Sequence, residues 1–324
     1  MKIKIKILTP VHIGSGEEIT PTEYIIDNNK FVRIDMDKLF SDADFKQYVD
    51  KFISNASSGV RYIGEIINDT ELLKRNALYS IDIDTSAQQY INRHKINVRS
   101  FIKSALRVYI PGSSLKGSIL SGVIEGVLSK KRIQKFENYE KHLSNVLQKL
   151  TGSGLGRFSR WLDVRDSDFK SVDETLKLVE TKLVGASSTR EMSILYEVLK
   201  EGVEFETEII SRCEKTKKTE QEILQMASDF YKKVYKKEKE FFESRGIKEA
   251  QLPEISENSY ILRIGQGSTA WSTSFLILAE KLNIRNYTIH RPKQHSRIFG
   301  PPRTRKLVSG TKSMGWVKIR IVNS

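Results

Sequence analysis

Three short strings hold the residues of this chain best suited to chemistry. TPVHIGSG (9–16) offers His12, an imidazole that titrates near neutrality and can act as a general acid or base. Gly14 and Gly16 follow it, and glycine allows positive φ and a close backbone approach to a ligand. No carboxylate or second histidine sits at readable spacing, so the plainer reading is a histidine that fixes its loop by hydrogen bonding. PGSSLKGS (111–118) sets a Pro-Gly turn, Ser113, Ser114 and Lys116 at a helix start. Free N–H groups and the helix dipole there attract phosphate. The string nearly spells a P-loop, but Ser118 stands where the essential lysine belongs, which excludes a nucleotide triphosphatase. An ordinary helix cap, with Ser113 or Ser114 at the N-cap, or a seat for a backbone phosphate remains.

RIGQGSTA (263–270) places Gly265 and Gly267 between a strand and a helix. That spacing resembles a dinucleotide fingerprint, which wants a carboxylate about 20 residues downstream. No acidic residue follows Glu280, so a relaxed NADP variant has little support. A glycine-rich approach to a nucleic-acid backbone fits better, with a structural turn close behind. Metal chemistry is poorly served: His12, His94, His142, His290 and His295 form no HxxxH pattern, and Cys213 is the only cysteine. One cysteine cannot anchor zinc alone. The carboxylates of WLDVRDSDF (161–169) could gather Mg²⁺, although acidic residues around an arginine more often cap turns. No GxSxG or Cys/His arrangement suggests covalent catalysis, and no cofactor is expected.

Charge supplies a second line of argument. The chain carries 54 Lys and Arg against 40 Asp and Glu, a net +14. Residues 281–324 hold eleven of the cations (Lys281, Arg285, Arg291, Lys293, Arg297, Arg303, Arg305, Lys306, Lys312, Lys318 and Arg320) and no acid. A folded surface normally intersperses its signs, so a one-signed block points to a polyanion. Tyr287, Phe299 and Trp316 are interleaved with the cations, a combination that suits single-stranded nucleic acid. Arg263, Arg297, Arg303, Arg305 and Lys306 are the candidate phosphate contacts; an inert basic tail is the alternative.

These strings need elements to hold them. Residues 2–7 alternate Lys and Ile, a half-buried strand. TEYIIDNNKFVRI (22–34) reads as a hairpin around Asp27–Lys30, and Asp35 as the cap of a short helix. ALYSIDID (77–84) and GVEFETEIIS (202–211) read as strands, and 113–131 as a helix whose glycines suggest close packing onto a sheet. Residues 219–244 place Ile223, Ala227, Phe230, Val234 and Phe241 on one face of a long amphipathic helix. That helix would cover the second sheet or form a protein-docking surface. SYILRI (259–264), TIH (288–290) and WVKIRIV (316–322) complete the strands. The order predicts an α+β protein of two ferredoxin-like (RRM-like) units, 1–198 and 199–324, with a helical insertion at 214–255. The opening MKIKIKILTP lacks the apolar run of a signal peptide, and no stretch approaches the roughly 20 residues of a membrane helix. A cytoplasmic location with no membrane contact is expected.

In this order, TPVHIGSG, YIPGSSLKGSI (109–119) and IGQGS resemble the RAMP superfamily (repeat-associated mysterious proteins) of CRISPR effectors. LDVRDSDF, EVLKEGVEFETEI (197–209) and SMGWVKIRI (313–321) are similar to RAMP segments as well. Within the superfamily, the length, the PGSSLKG helix start and the terminal GWV strand look most like the family of fifth Csm subunits of type III-A complexes. That resemblance implies RRM-like domains, a place at the end of the effector holding the 3′ part of the crRNA, and a part in its maturation and in antiviral defence. The implied partners are crRNA, the other Csm subunits, especially the backbone RAMP subunit, and a recruited nuclease. By resemblance, His12, Gly14, Gly16, Ser113, Ser114, Lys116, Gly265 and Gly267 map onto family motif positions. The RNP aromatic motif of RRM proteins is absent. The resulting expectation is a non-catalytic RNA-binding subunit. Its rivals are a metal-independent endoribonuclease, using His12 with Lys116 or an arginine at the phosphorane, and the Csm RAMP subunit at the crRNA 5′ end.

Overall fold

The computed structural model describes residues 1–57, 62–129, 162–185, 193–211, 219–256, 259–268, 270–273, 276–281, 288–291, 294–298 and 304–322. It is a mixed α/β fold built on two principal sheets.

The first sheet grows from the Lys/Ile alternation. In β1 (Lys2–Ile7), Ile3, Ile5 and Ile7 are all but fully buried while the lysines between them face outward. Burying each isoleucine contributes about 1.5–3 kcal/mol. The chain continues through α1 (Gly112–Leu128), β2 (Leu162–Val164), β3 (Glu204–Ser211), α2 (Glu220–Ser244), β4 (Tyr260–Arg263) and β5 (Trp316–Ile321). The strand order is β4-β5-β1-β3-β2, antiparallel at every pairing. Read along β1, α1, β2, β3, α2 and β5, the chain traces a βαββαβ path, with β4 added outside β5. The two helices share one core with the inner strand residues, Leu115, Ile119, Ile223 and Phe230 meeting Ile3, Ile5 and Phe205.

Thr219 starts α2 with a capping box, accepting from the Glu222 amide while the Glu222 carboxylate accepts from the amide of Thr219. Such reciprocal bonds satisfy two donors that a helix start leaves open. The glycines of α1 serve a different contact from the one their spacing suggested. A Cβ on Gly122 would lie 2.5 Å from Cα of Ala227, so the close approach is to α2, not to a sheet.

The second sheet runs Gly14–Ile19, Val98–Phe101, Ile194–Leu199, Leu176–Val184, Ala77–Ile83, Lys30–Ile34 and Tyr24–Asp27, and Arg305–Val308 also pairs with Leu176–Val184. Its hairpin turns on Asn28 and Asn29, at φ of 45° and 60°, the left-handed pair that a two-residue turn requires. Asp35 caps the helix that follows, accepting from the Lys38 amide at 3.0 Å. This sheet is mixed. Val98–Phe101 runs parallel to Ile194–Leu199, and Ala77–Ile83 runs parallel to Leu176–Val184.

Strand pairing crosses the expected boundary at 198/199. β1 lies between β3 and β5, and residues 305–308 return to a strand at 176–184. A central strand needs a partner along each edge, and β1 finds both of its partners after residue 199, so contiguous halves of sequence do not become separate sheets. The expected insertion at 214–255 is likewise not an appendage, because α2 is one of the two helices of the βαββαβ path. Among the described residues, no helix is long and apolar enough to cross a membrane.

Candidate functional site

The loop leaving β1 is pinned through four successive carbonyls. Those of Pro10, Val11, His12 and Ile13 accept from the amides of Gly315, Leu199, Gln266 and Ile102 at 2.8–2.9 Å. The segment thereby joins the first sheet to the second, which begins at Gly14. Its partner loop follows β4 as a single 3-10 turn, Gly265–Gly267. Gly265 sits at φ +67°, where a Cβ would come within 2.2 Å of the His12 carbonyl oxygen. A Cβ on Gly267 would lie 2.0 Å from the Met314 carbonyl oxygen. Two of the three strings singled out above therefore meet, and these two glycines are required first for backbone against backbone.

Over this junction opens a cleft of about 420 Å³, lined chiefly by His12, Gly14, Gly16, Arg99, Tyr196 and Gln266. A register shift between Gly14 and Glu18 releases the intervening residues from the ladder with Val98–Phe101. Bulges of this kind re-aim backbone groups beside functional sites. Gly16, at φ +91°, has open space where a Cβ would stand.

His12 forms the cleft's floor. Its ring is 4 % exposed, Nδ1 lies 2.7 Å from the Glu197 carbonyl oxygen, and Tyr196 meets it edge-on at 4.6 Å between centroids. Burial pushes the His12 imidazole down to about 4, outweighing the bond to Glu197, so the ring is neutral at pH 7. A neutral ring facing a carbonyl through Nδ1 carries its proton there, which leaves Nε2 as an acceptor.

Behind the histidine lies a fully buried carboxylate, Glu197. It accepts from the Tyr79 hydroxyl at 2.6 Å, the Phe101 amide at 2.9 Å and the Ser100 hydroxyl at 3.3 Å, and it pairs with Lys103. Burial holds the Lys103 ammonium below its ordinary value, against the pull of Glu197. Lys306 donates to the Tyr196 hydroxyl at 2.7 Å. Of the three candidate phosphate cations whose side chains are described, Arg263, Arg305 and Lys306, it alone lies beside the cleft.

The other expected site residues are deployed differently. Arg263 and Arg305 are 1 % and 2 % exposed; they are core residues facing Glu238 and cannot track a backbone at the surface. Arg297 lies on the strand Gln294–Ile298, while Arg303, His142 and Cys213 lie outside the described residues. Ser113 and Ser114 fall inside the first turn of α1 instead of capping it. The Gly112 amide donates to Asp166 Oδ1 at 2.7 Å, so a carboxylate already occupies the position proposed for phosphate. Ser113 is exposed and Lys116 half-buried, and neither lines the cleft.

LDVRDSDF is structural: Ser167 Oγ accepts from the Ile110 amide at 2.8 Å and Asp168 Oδ1 from the Glu206 amide at 2.6 Å. Among the described residues, no group of three His, Cys, Asp or Glu is placed to hold a metal. Among the described residues, the cations of the basic C-terminal block do not share one face. Arg305 is in the core, Lys306 is at the cleft, Lys312 pairs with Glu201, and Arg320 pairs with Glu204 on the outer face of the first sheet. That outer face sets Lys2, Lys4 and Lys6 opposite Glu208, Glu206 and Glu204, a charged ladder where an RRM would present rings for stacking.

Sequence reasoning missed Arg99, Tyr196, Glu197 and Gln266. Glu197 left a signal as the one charge inside the apolar strand Ile194–Leu199, and Gln266 stands between the two glycines of RIGQGSTA.

Comparison with known proteins identifies the family. Residues 4–270 match the sequence model of the RAMP superfamily. The chain is 27% identical over 338 residues to the Streptococcus thermophilus protein named CRISPR system Cms protein Csm5, covering 97% of this chain and 92% of that one. A Methanocaldococcus jannaschii protein of the same name is 29% identical over 150 residues, 46% of this chain and 33% of the relative. Among solved structures, the crystal structure of T. onnurineus Csm5 superimposes with a TM-score of 0.72 at 21% identity, covering 97% of this chain and 99% of that one. A chain of the cryo-EM structure of a Csm–crRNA–target RNA ternary complex in a type III-A CRISPR-Cas system gives 0.68 at 21% identity, covering 99% and 100%.

Proposed function

This chain belongs to the RAMP superfamily, and from that premise we propose that it works as the Csm5-type subunit of a CRISPR Csm effector complex and binds single-stranded crRNA without cleaving it. The relatives' names and the likeness to a chain of a crRNA-bound assembly support the reading. The observation that carries it is the joint of His12 and Gly265: the two motif loops are locked together at one cleft, with Arg99 and Lys306 beside it. Holding the 3′ part of the crRNA, taking part in its maturation and docking on the backbone RAMP subunit belong to the same proposal, as do recruitment of a nuclease and a cytoplasmic location. The βαββαβ path of the first sheet supports an RRM-like reading of that half. Its charged outer face, however, directs RNA to the loops and away from the sheet.

A guide varies in sequence, so backbone contacts suit the task better than base readout. The test is co-purification of a small RNA of fixed length with Csm partners, together with incubation of a repeat RNA in EDTA. Recovery of the RNA uncut supports the proposal. Cutting that disappears in His12→Ala would replace it with the endoribonuclease, and a subunit that recovers neither RNA nor partners would overturn it.

A further inference from the structure

We propose that His12 Nε2 is a ribose sensor, an acceptor at the floor of the cleft that takes a hydrogen bond from a 2′-hydroxyl and thereby selects RNA over DNA.

The inference rests on the reading of the cleft as an RNA site and adds a role for one atom in it. Nδ1 is spent on the Glu197 carbonyl, while Nε2 has no hydrogen-bond partner among the described residues. The ring is otherwise enclosed, with Tyr196 and Phe101 packed edge-on against it, and its exposure is 4 %. Nε2 is the one polar atom of the ring that the described residues leave unpaired, and it opens on the cleft, so it is free to accept from a donor that a ligand brings.

Gly14 keeps that atom open. A Cβ built on Gly14 would stand 3.1 Å from Nε2 and would cover it, whereas the bare glycine leaves Nε2 facing the cleft that both residues line. The surroundings also fix what kind of group Nε2 can meet. A histidine that titrated near pH 7 would become a donor on protonation and would then seek phosphate. This one stays neutral because its environment is apolar and because Lys103 and Lys306 oppose a further positive charge. Phosphate offers only acceptors, so it cannot satisfy Nε2. Among the invariant parts of a nucleotide, the 2′-hydroxyl is the one donor, and it is the group that distinguishes RNA from DNA. Base N–H groups are donors as well, but they change with sequence.

The experiment measures binding of the full chain to a fluorescein-labelled single-stranded RNA and to two chains of the same sequence, 2′-fluoro and 2′-deoxy. The 2′-fluoro sugar keeps a ribose-like pucker but cannot donate. Wild type should bind the RNA about 3- to 10-fold more tightly than the 2′-fluoro chain, the span expected of one hydrogen bond. His12→Phe keeps a ring and removes the acceptor, and Gly14→Ala covers Nε2 with a methyl group while the histidine itself is retained. Both should lose the wild-type preference and bind RNA and the 2′-fluoro chain with equal affinity. Equal wild-type affinity for the two chains overturns the assignment while leaving RNA binding intact. If His12→Phe weakens both chains alike and keeps the wild-type preference, His12 does not read the ribose and the assignment is wrong. If wild type binds none of the three chains, the RNA reading itself falls, and this inference with it.

Discussion

Glu238 Oε2 and Arg263 Nη1 meet at 3.0 Å in the core, on side chains that are 0 % and 1 % exposed. Arg305 faces the other oxygen at 3.5 Å, and Ser313 and the Trp316 indole donate to the first at 3.0 and 3.3 Å. One carboxylate thus stands against two guanidiniums. The rings around them share the load: Arg305 lies 3.8 Å from the centre of the Trp271 ring and Arg263 5.0 Å from that of Trp316. Cation–π contacts are strongest when desolvated, yet they do not replace an anion. Glu238→Gln should therefore destabilise the fold by about 3–5 kcal/mol, as expected when a buried pair loses one partner. Urea denaturation reads this directly, and a loss below about 1 kcal/mol would show that the arginines do not depend on Glu238.

The two left-handed glycines of the cleft should respond unequally to alanine. At Gly16 only the positive φ resists a side chain, since nothing stands within 4 Å of the added carbon. Gly16→Ala should cost about 1–2 kcal/mol. At Gly265 the same penalty is joined by a 2.2 Å clash with the His12 carbonyl, which neither backbone can relieve without breaking the bond from the Gln266 amide. Gly265→Ala should cost more and should also abolish RNA binding at a temperature where the protein is still folded. Equal thermal shifts for the two variants would contradict the locked-loop geometry.

Acid should destabilise this protein partly through His12. Its imidazole is down at about 4 in the fold, from 6.5 in the unfolded chain. Between those values the unfolded state binds the proton and the folded state does not, so stability falls as pH drops from about 6.5 to 4. The full linkage is on the order of 3 kcal/mol. His12→Gln removes the titration, and its stability should change less than that of wild type across this window. Parallel curves for wild type and variant would mean that His12 titrates normally when folded.

What the sequence disclosed follows from local physics. The Lys/Ile alternation of β1, the Asn28–Asn29 turn, the Asp35 cap and the stripe of Ile223, Ala227, Phe230 and Val234 on α2 are each decided by neighbours a few residues away. Each was readable for that reason. The motif strings also identified two walls of the cleft, although nothing in them states that His12 and Gly265 touch across 253 positions of chain.

The errors arose where a charge's surroundings come from distant segments. Arg263 and Arg305 look like surface cations until Glu238 is seen beside them. Glu238 had a legible position, continuing the stripe four residues after Val234, where a buried acid demands a partner. Arg99 carried no such mark, and Gln266 only its place between the glycines of RIGQGSTA. They line the cleft only because a mixed sheet and a 3-10 turn converge there, and no periodicity encodes that convergence.

The burial of Arg305 and the placement of Arg99 separate two effects that one basic sequence would merge. Arg99 is exposed, lines the cleft and pairs with Glu18 at 2.9 Å, a surface bond worth little to stability. Arg99→Gln should leave thermal stability unchanged. It should weaken binding of all single-stranded RNA sequences alike and reduce the log–log salt slope by about 0.7, the value for one phosphate neutralised on a single strand. Arg305→Met should do the opposite. It removes a cation wedged against Trp271 and Phe241, so the melting temperature should move, while the salt slope of the protein that remains folded stays at the wild-type value. Affinity measured at several salt concentrations for both variants decides the matter. A reduced slope for Arg305→Met would mean that this arginine reaches RNA, and an unchanged slope for Arg99→Gln would move the phosphate path away from the cleft.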